Sequence, residues 1–161
     1  MADAFWCLVE DDRQGTPKRV MAEVLGEAAR LGGPVEAVWL TDRASEEGLR
    51  HLAEWGASRI WLCEHPALAP YRGEVWVPVL AELVQRETPR ALFGPVTSRQ
   101  RECLARLAAR LGVGLAADCV ALARDGDRLV ATRPVYAGKV LAKVTWARPP
   151  WIATLRPNVF R

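Results

Sequence analysis

The sequence predicts an α/β fold, a doubly wound and mainly parallel sheet with antiparallel strands added after residue 118. Three observations carry that expectation. Through the first two thirds of the chain, short apolar runs alternate with stretches whose apolar residues recur at helical spacing. The intervening helices are long enough to serve as crossovers, which return the chain to a parallel strand and cover both faces of the sheet. After Cys119 the helical spacing stops, and Asp125-Gly126 between two apolar runs marks a hairpin.

Phe5 to Val9 is an uninterrupted apolar run of the kind found in a buried strand, and Thr16-Pro17 then offers an N-cap with proline at the first helical position. Val20, Met21, Val24, Leu25 and Ala28 follow at helical spacing until Gly32-Gly33-Pro34 ends the helix. Val35 to Leu40 reads as the second strand, Ser45 as the cap of a helix through Leu49 and Leu52 to Gly56, and Ile60 to Cys63 as the third strand. The next helix covers about Glu74 to Arg86 and tolerates Pro78 because that residue falls in the first turn. Ala91 to Gly94 makes the fourth strand. Thr97 with Gln100 resembles a capping box, and the helix it opens carries Leu104, Leu107, Ala108 and Leu111 on one face before Gly112. Beyond the hairpin, Leu129 to Thr132, Val140 to Thr145 and Trp151 to Leu155 read as successive strands, expected as antiparallel additions at an edge of the sheet. Most of the tryptophans fall in or beside strands of the chain as a whole, Trp6, Trp39, Trp61, Trp146 and Trp151 among them, where packing explains them better than a stacking platform does.

With 161 residues, 50% of them hydrophobic and 25% charged, residues 1–161 read as a single domain able to bury a core. Basic residues number 22 against 19 acidic ones and are scattered, so charge makes no case for nucleic acid or for an anionic membrane surface. No apolar run approaches the roughly 18 residues that cross a bilayer, and Met1 to Val9 lack the charged-then-apolar pattern of a leader, so a cytoplasmic protein is expected. Cys7, Cys63, Cys103 and Cys119 are 56, 40 and 16 positions apart, which assembles neither a local zinc site nor a CxxC pair. They read as small hydrophobes in a reducing compartment.

Ligands of open parallel sheets bind beyond the carboxyl ends of the strands, near the point where strand order reverses. Two loops qualify. One is Glu10-Asp11-Asp12-Arg13 after the first strand, and the other is Gly94-Pro95-Val96-Thr97-Ser98-Arg99 after the fourth, leading into a helix. Thr97, Ser98 and Arg99 offer backbone N–H groups, two hydroxyls and a guanidinium at a helix N-terminus, a combination suited to a phosphate, although Thr or Ser there also serves as a plain cap. The three acids could hold a divalent cation in principle, but adjacent acids at a strand end more often make a solvated turn, and no metal ligand is assigned. His51 and His65 have no Ser or Cys with an acid at a recognisable spacing, and neither a Walker loop nor GxGxxG is present. No catalytic residue is assigned.

From Gly94 onward the sequence becomes specific. Thr97-Ser98-Arg99-Gln100-Arg101-Glu102, followed by Arg106-Leu107-Ala108-Ala109-Arg110-Leu111-Gly112-Val113-Gly114-Leu115-Ala116-Ala117-Asp118-Cys119, resembles the alpha subunit of electron-transfer flavoproteins. Arg133-Pro134-Val135-Tyr136-Ala137-Gly138 before an apolar strand looks like that family's RPxYxG element, and Ile152-Ala153-Thr154-Leu155-Arg156-Pro157 like the TxRP element that closes its N-terminal domain. The likeness reaches the first strand and helix more weakly.

The resemblance implies an N-terminal α/β domain of the nucleotide-binding hydrolase type, without the C-terminal domain that holds most of the FAD. The chain reaches Phe160-Arg161 where the family enters a linker. It also implies a non-enzymatic scaffold that forms a heterodimer with a beta subunit, which usually binds AMP, and supports a mobile flavin domain. The complete assembly takes electrons from acyl-CoA and other dehydrogenases to a quinone reductase or another acceptor. FAD and AMP are thus expected in the assembly and neither in this chain alone. Lys139, Gln100 and Asn158 stand where the family commonly has Asn, Gly and Gly. Gln100 places a side chain where close approach to a phosphate needs none, whereas Asn158 tolerates a left-handed backbone. Two alternatives stay open: a free-standing adenine-nucleotide-binding module, motivated by the Thr97 to Arg99 helix start, and a thiol redox protein using Cys103, whose helix is amphipathic.

Overall fold

Successive side chains of a strand point to opposite faces of its sheet, and this chain uses both faces. In the first strand, β1 (Phe5–Leu8), Phe5 and Cys7 enter one apolar cluster while Trp6 and Leu8 enter another. The computed structural model describes residues 3–160, so Met1, Ala2 and Arg161, and with them the expected passage into a linker at Arg161, lie outside the described residues.

The strands follow in chain order as β2 (Val35–Thr41), β3 (Arg59–Glu64), β4 (Ala91–Pro95), β5 (Leu115–Cys119), β6 (Ala121–Asp125), β7 (Arg128–Val135), β8 (Val140–Val144) and β9 (Trp151–Leu155). Six of them make one sheet in the order β3-β2-β1-β4-β9-β5, with every neighbouring pair parallel. The helices are α1 (Val20–Arg30), α2 (Glu46–Glu54), α3 (Gly73–Glu87) and α4 (Ser98–Leu111). Buried residues of α1 and α2 join the cluster containing Phe5, and those of α3 and α4 join the cluster containing Trp6. This is the doubly wound α/β arrangement that the sequence predicts. The strand order reverses between β1 and β4.

The antiparallel strands β6, β7 and β8 form a second, three-stranded sheet, whose Leu122, Leu129 and Ala131 are buried in the cluster containing Phe5. The Asp125-Gly126 hairpin is present, with Asp125 opposite Arg128 and Gly126 at φ 60. Trp151–Leu155 departs from expectation. It is neither antiparallel nor at an edge, but returns to the main sheet as a parallel strand between β4 and β5. All five of its residues are buried, and the run without polar alternation is what a strand covered on both faces requires.

Local signals were resolved in three further ways. The first helix does not start at Thr16-Pro17 but at Val20, because Asp12 closes the preceding loop, accepting from the Gln14 and Thr16 N–H groups at 2.7 and 3.1 Å. Ser45 caps α2 as expected, its hydroxyl accepting from the Gly48 N–H at 2.9 Å. Pro78 is the sixth residue of α3, which begins at Gly73, so it lies in the second turn and not in the first as expected.

Candidate functional site

The crevice between β1 and β4 is where a fold of this topology presents a ligand. Thr97 caps α4 by accepting the Gln100 N–H at 3.2 Å, which places Ser98 and Arg99 in the first helical turn. The second half of the expected capping box is absent. The Gln100 side chain is fully buried and donates instead to the Leu8 carbonyl at 3.1 Å, leaving its Oε1 without a partner among the described residues. That oxygen lies against Gly94, where an added Cβ would collide with it.

Arg99 turns toward the end of β1. Its Nε donates to Glu10 Oε2 at 3.1 Å and its Nη2 to Asp11 Oδ1 at 3.3 Å, while the guanidinium lies 5.0 Å from the centre of the Trp76 ring. Asp11 also accepts the Trp39 indole N–H at 2.8 Å. Glu10 and Asp11 are therefore buried and paired, which corrects the expected solvated turn; only Asp12 behaves that way. In front lies a cavity of about 390 Å³ lined by both loops, Thr97, Ser98 and Arg99 included. Among the described residues no group of three His, Cys, Asp or Glu side chains could hold a metal ion.

A dinucleotide such as FAD does not fit this crevice as it stands. Its pyrophosphate would face the Glu10 and Asp11 carboxylates that already hold Arg99, and the Gln100 side chain fills the space in which bare backbone would have to approach it.

The histidines lie elsewhere in structural roles. His65 Nδ1 accepts the Ala67 N–H at 3.0 Å, and His51 stacks on Trp55. Cys103 sits on the buried face of α4 rather than the exposed one, and burial pushes its thiol up to about 12, which opposes the thiolate that redox chemistry needs.

Sequence reasoning passed over a different cluster. Arg101, Asp118, Arg133 and Thr154 belong to four separate motif segments, yet all line one cavity of about 450 Å³ at the carboxyl ends of β5 and β9. The arginines were visible in the sequence, but their convergence depends on β9 lying beside β5.

The family model for the electron transfer flavoprotein domain matches residues 5–161. This chain belongs to that family. Among its curated relatives, the electron transfer flavoprotein subunit alpha of Syntrophomonas wolfei is 33% identical over 154 residues, covering 96% of this chain and 48% of the relative. Protein FixB of Clostridium saccharobutylicum is 34% identical over 161 residues, with coverage of 96% and 48%. Protein FixB of Azotobacter vinelandii is 33% identical over 168 residues, with coverage of 96% and 45%. The chain thus spans about half the length of the curated relatives it matches, and an N-terminal alpha-subunit domain fits that coverage. In this electron transfer flavoprotein domain, Tyr136, Ala137 and Gly138 of the RPVYAG segment turn the chain between β7 and β8, all three at positive φ. No helix among the described residues is long and apolar enough to cross a membrane.

Proposed function

We propose that this chain is the N-terminal domain of an electron transfer flavoprotein alpha subunit, a non-catalytic cytoplasmic scaffold for electron transfer through FAD. In this reading residues 1–161 act as one unit that pairs with a beta subunit carrying AMP. The assembly would pass electrons from acyl-CoA or other dehydrogenases to a quinone reductase or another acceptor. The supporting observation is the match to alpha-subunit and FixB relatives across 96% of the chain. A surface suited to subunit contact supports it too. The β7–β8 hairpin exposes Tyr136 at 80% and Leu141 at 62%, large apolar side chains whose burial would favour association.

Mixing the chain with its beta subunit and separating by size tests the reading. Co-elution at about tens of micromolar is expected, with Tyr136→Ser and Leu141→Ser weakening it; separate elution of two folded proteins at that concentration overturns it. The purified chain is expected to be colourless, and stoichiometric yellow flavin retained by it would count equally against the scaffold.

An adenine-nucleotide-binding module is the second reading, supported by the cavity in front of Thr97, Ser98 and Arg99. It ranks lower because Arg99 is already held by Glu10 and Asp11. Calorimetry with AMP and ATP decides: heat that disappears in Arg99→Ala favours the module, and no heat at millimolar ligand removes it.

A further inference from the structure

Strand β5 does not pair regularly to its end. Its register against β9 shifts between Ala116 and Cys119, and Asp118 there takes a left-handed backbone at φ 58. A bulge of this kind re-aims a side chain, and a non-glycine residue persists at positive φ only where its surroundings hold it. Here the Thr154 hydroxyl on β9 accepts the Asp118 N–H at 2.8 Å.

Three guanidinium groups surround the re-aimed carboxylate. Arg156 Nε donates to Asp118 Oδ1 at 3.0 Å. Arg133 Nε donates to the Ala117 carbonyl at 2.7 Å, and its terminal nitrogens meet no acceptor among the described residues. The side chain of Arg101, on the face of α4 that also carries Ala105, has neither hydrogen bond nor ion pair among the described residues. The Arg156 hydrogen bond, with the charges of Arg133 and Arg101, holds the Asp118 carboxyl below the usual carboxylate range. At neutral pH the cluster therefore carries two positive charges in excess. Arg101, Arg133 and Asp118 border the cavity of about 450 Å³, whose wall continues as Val96, Ala105 and Leu115, while Arg156 holds Asp118 from outside that lining.

We infer that this cleft binds a phosphate monoester, its dianionic head between Arg101 and Arg133 and its organic body against the apolar wall formed by Val96, Ala105 and Leu115. Guanidinium forks match phosphate oxygens, and a dianion balances the excess charge where a carboxylate would leave half of it unmet. The volume lies within the range of roughly 300–1,000 Å³ typical of small-molecule sites, at the carboxyl ends of parallel strands. The site is separate from the Thr97 to Arg99 loop and does not depend on the scaffold reading.

The test is to titrate the nitrogen-15-labelled chain with phenyl phosphate, inorganic phosphate and benzoate while following backbone amides by NMR. Phenyl phosphate is expected to shift Ala117, Asp118 and Thr154 saturably, with a Kd at or below about 1 mM, leaving Thr97, Ser98 and Arg99 in place. Inorganic phosphate and benzoate should each bind more weakly, by about threefold or more, lacking the body or the second charge. Arg101→Gln, which gives up no side-chain hydrogen bond or ion pair among the described residues, should keep the folded spectrum and weaken phenyl phosphate by about fivefold. Arg133→Gln should act in the same direction. Shifts that remain linear to about 10 mM, shifts centred on Thr97 to Arg99, equal binding of benzoate or inorganic phosphate, or indifference to Arg101→Gln each overturn the inference.

Discussion

Arg99, in the first turn of α4, donates to Glu10 at the end of β1 across 89 positions of sequence, and this 3.1 Å contact closes the crevice where the strand order reverses. Both side chains are nearly buried, at 12% and 7% exposure, so the charges are held in a medium where each depends on the other. Truncating Arg99 to Ala would strand Glu10 and Asp11 and uncover Trp76. We expect a loss of about 2–4 kcal/mol, read as a lower urea midpoint at unchanged slope. Arg99→Lys should recover only part of it, since an ammonium cannot span two carboxylates as the planar fork does. A midpoint for Arg99→Ala equal to that of the parent would show that the pair contributes nothing.

Glu23 fastens the far end of the described chain. From α1 its carboxylate accepts the N–H groups of Asn158, Val159 and Phe160 at 2.9, 2.9 and 2.7 Å. Glu23→Gln loses one acceptor oxygen and the charge, so amide exchange at these three residues should accelerate. The associated cost is about 1–2 kcal/mol. Exchange rates unchanged at all three would refute the tether.

Acid should release the Asp118 cluster. The Arg156 hydrogen bond, with the charges of Arg156, Arg133 and Arg101, lowers the Asp118 carboxyl from its ordinary 3.8. A lowered folded value means that the ionised form stabilises the fold above the ordinary value and that this contribution disappears as pH falls through the lowered one. The stability difference between parent and Asp118→Asn should therefore be constant near neutrality and shrink in strong acid. A difference that widens on acidification contradicts the assignment.

Thiol reactivity should follow burial. Burial pushes Cys103 and Cys119 up to about 12 and raises Cys7 as well, whereas Cys63 is only half-buried. Iodoacetamide at mildly alkaline pH should modify Cys63 first, and the others slower by about a hundredfold or more, as peptide mass spectrometry would show. Rapid labelling of Cys103 in the folded chain would restore the thiol reading.

Strong local signals were legible residue by residue. Ser45 and Thr97 cap the helices they precede, Asp125-Gly126 turns a hairpin, and the alternation of strand and helix gives the parallel sheet. The Thr16-Pro17 start failed because Asp12, four residues earlier, offered the loop a better set of acceptor contacts. Of the candidate site, both loops, Glu10 to Arg13 and Thr97 to Arg99, are legible in the sequence, but not the pairing of Arg99 with Glu10 and Asp11, because an ion pair between distant loops leaves no periodic trace.

By itself the sequence determined which segments are helix and strand, that the sheet is covered on both faces, and the family, since periodicity, caps and motifs are written in neighbouring residues. Only the tertiary structure decided where Trp151–Leu155 goes. An apolar strand can bury both faces at any interior position, and the place between β4 and β5 is chosen by backbone pairing with strands about 60 and 35 residues away. That choice sets Thr154 beside Asp118 and gathers Arg101, Arg133 and Arg156 around it.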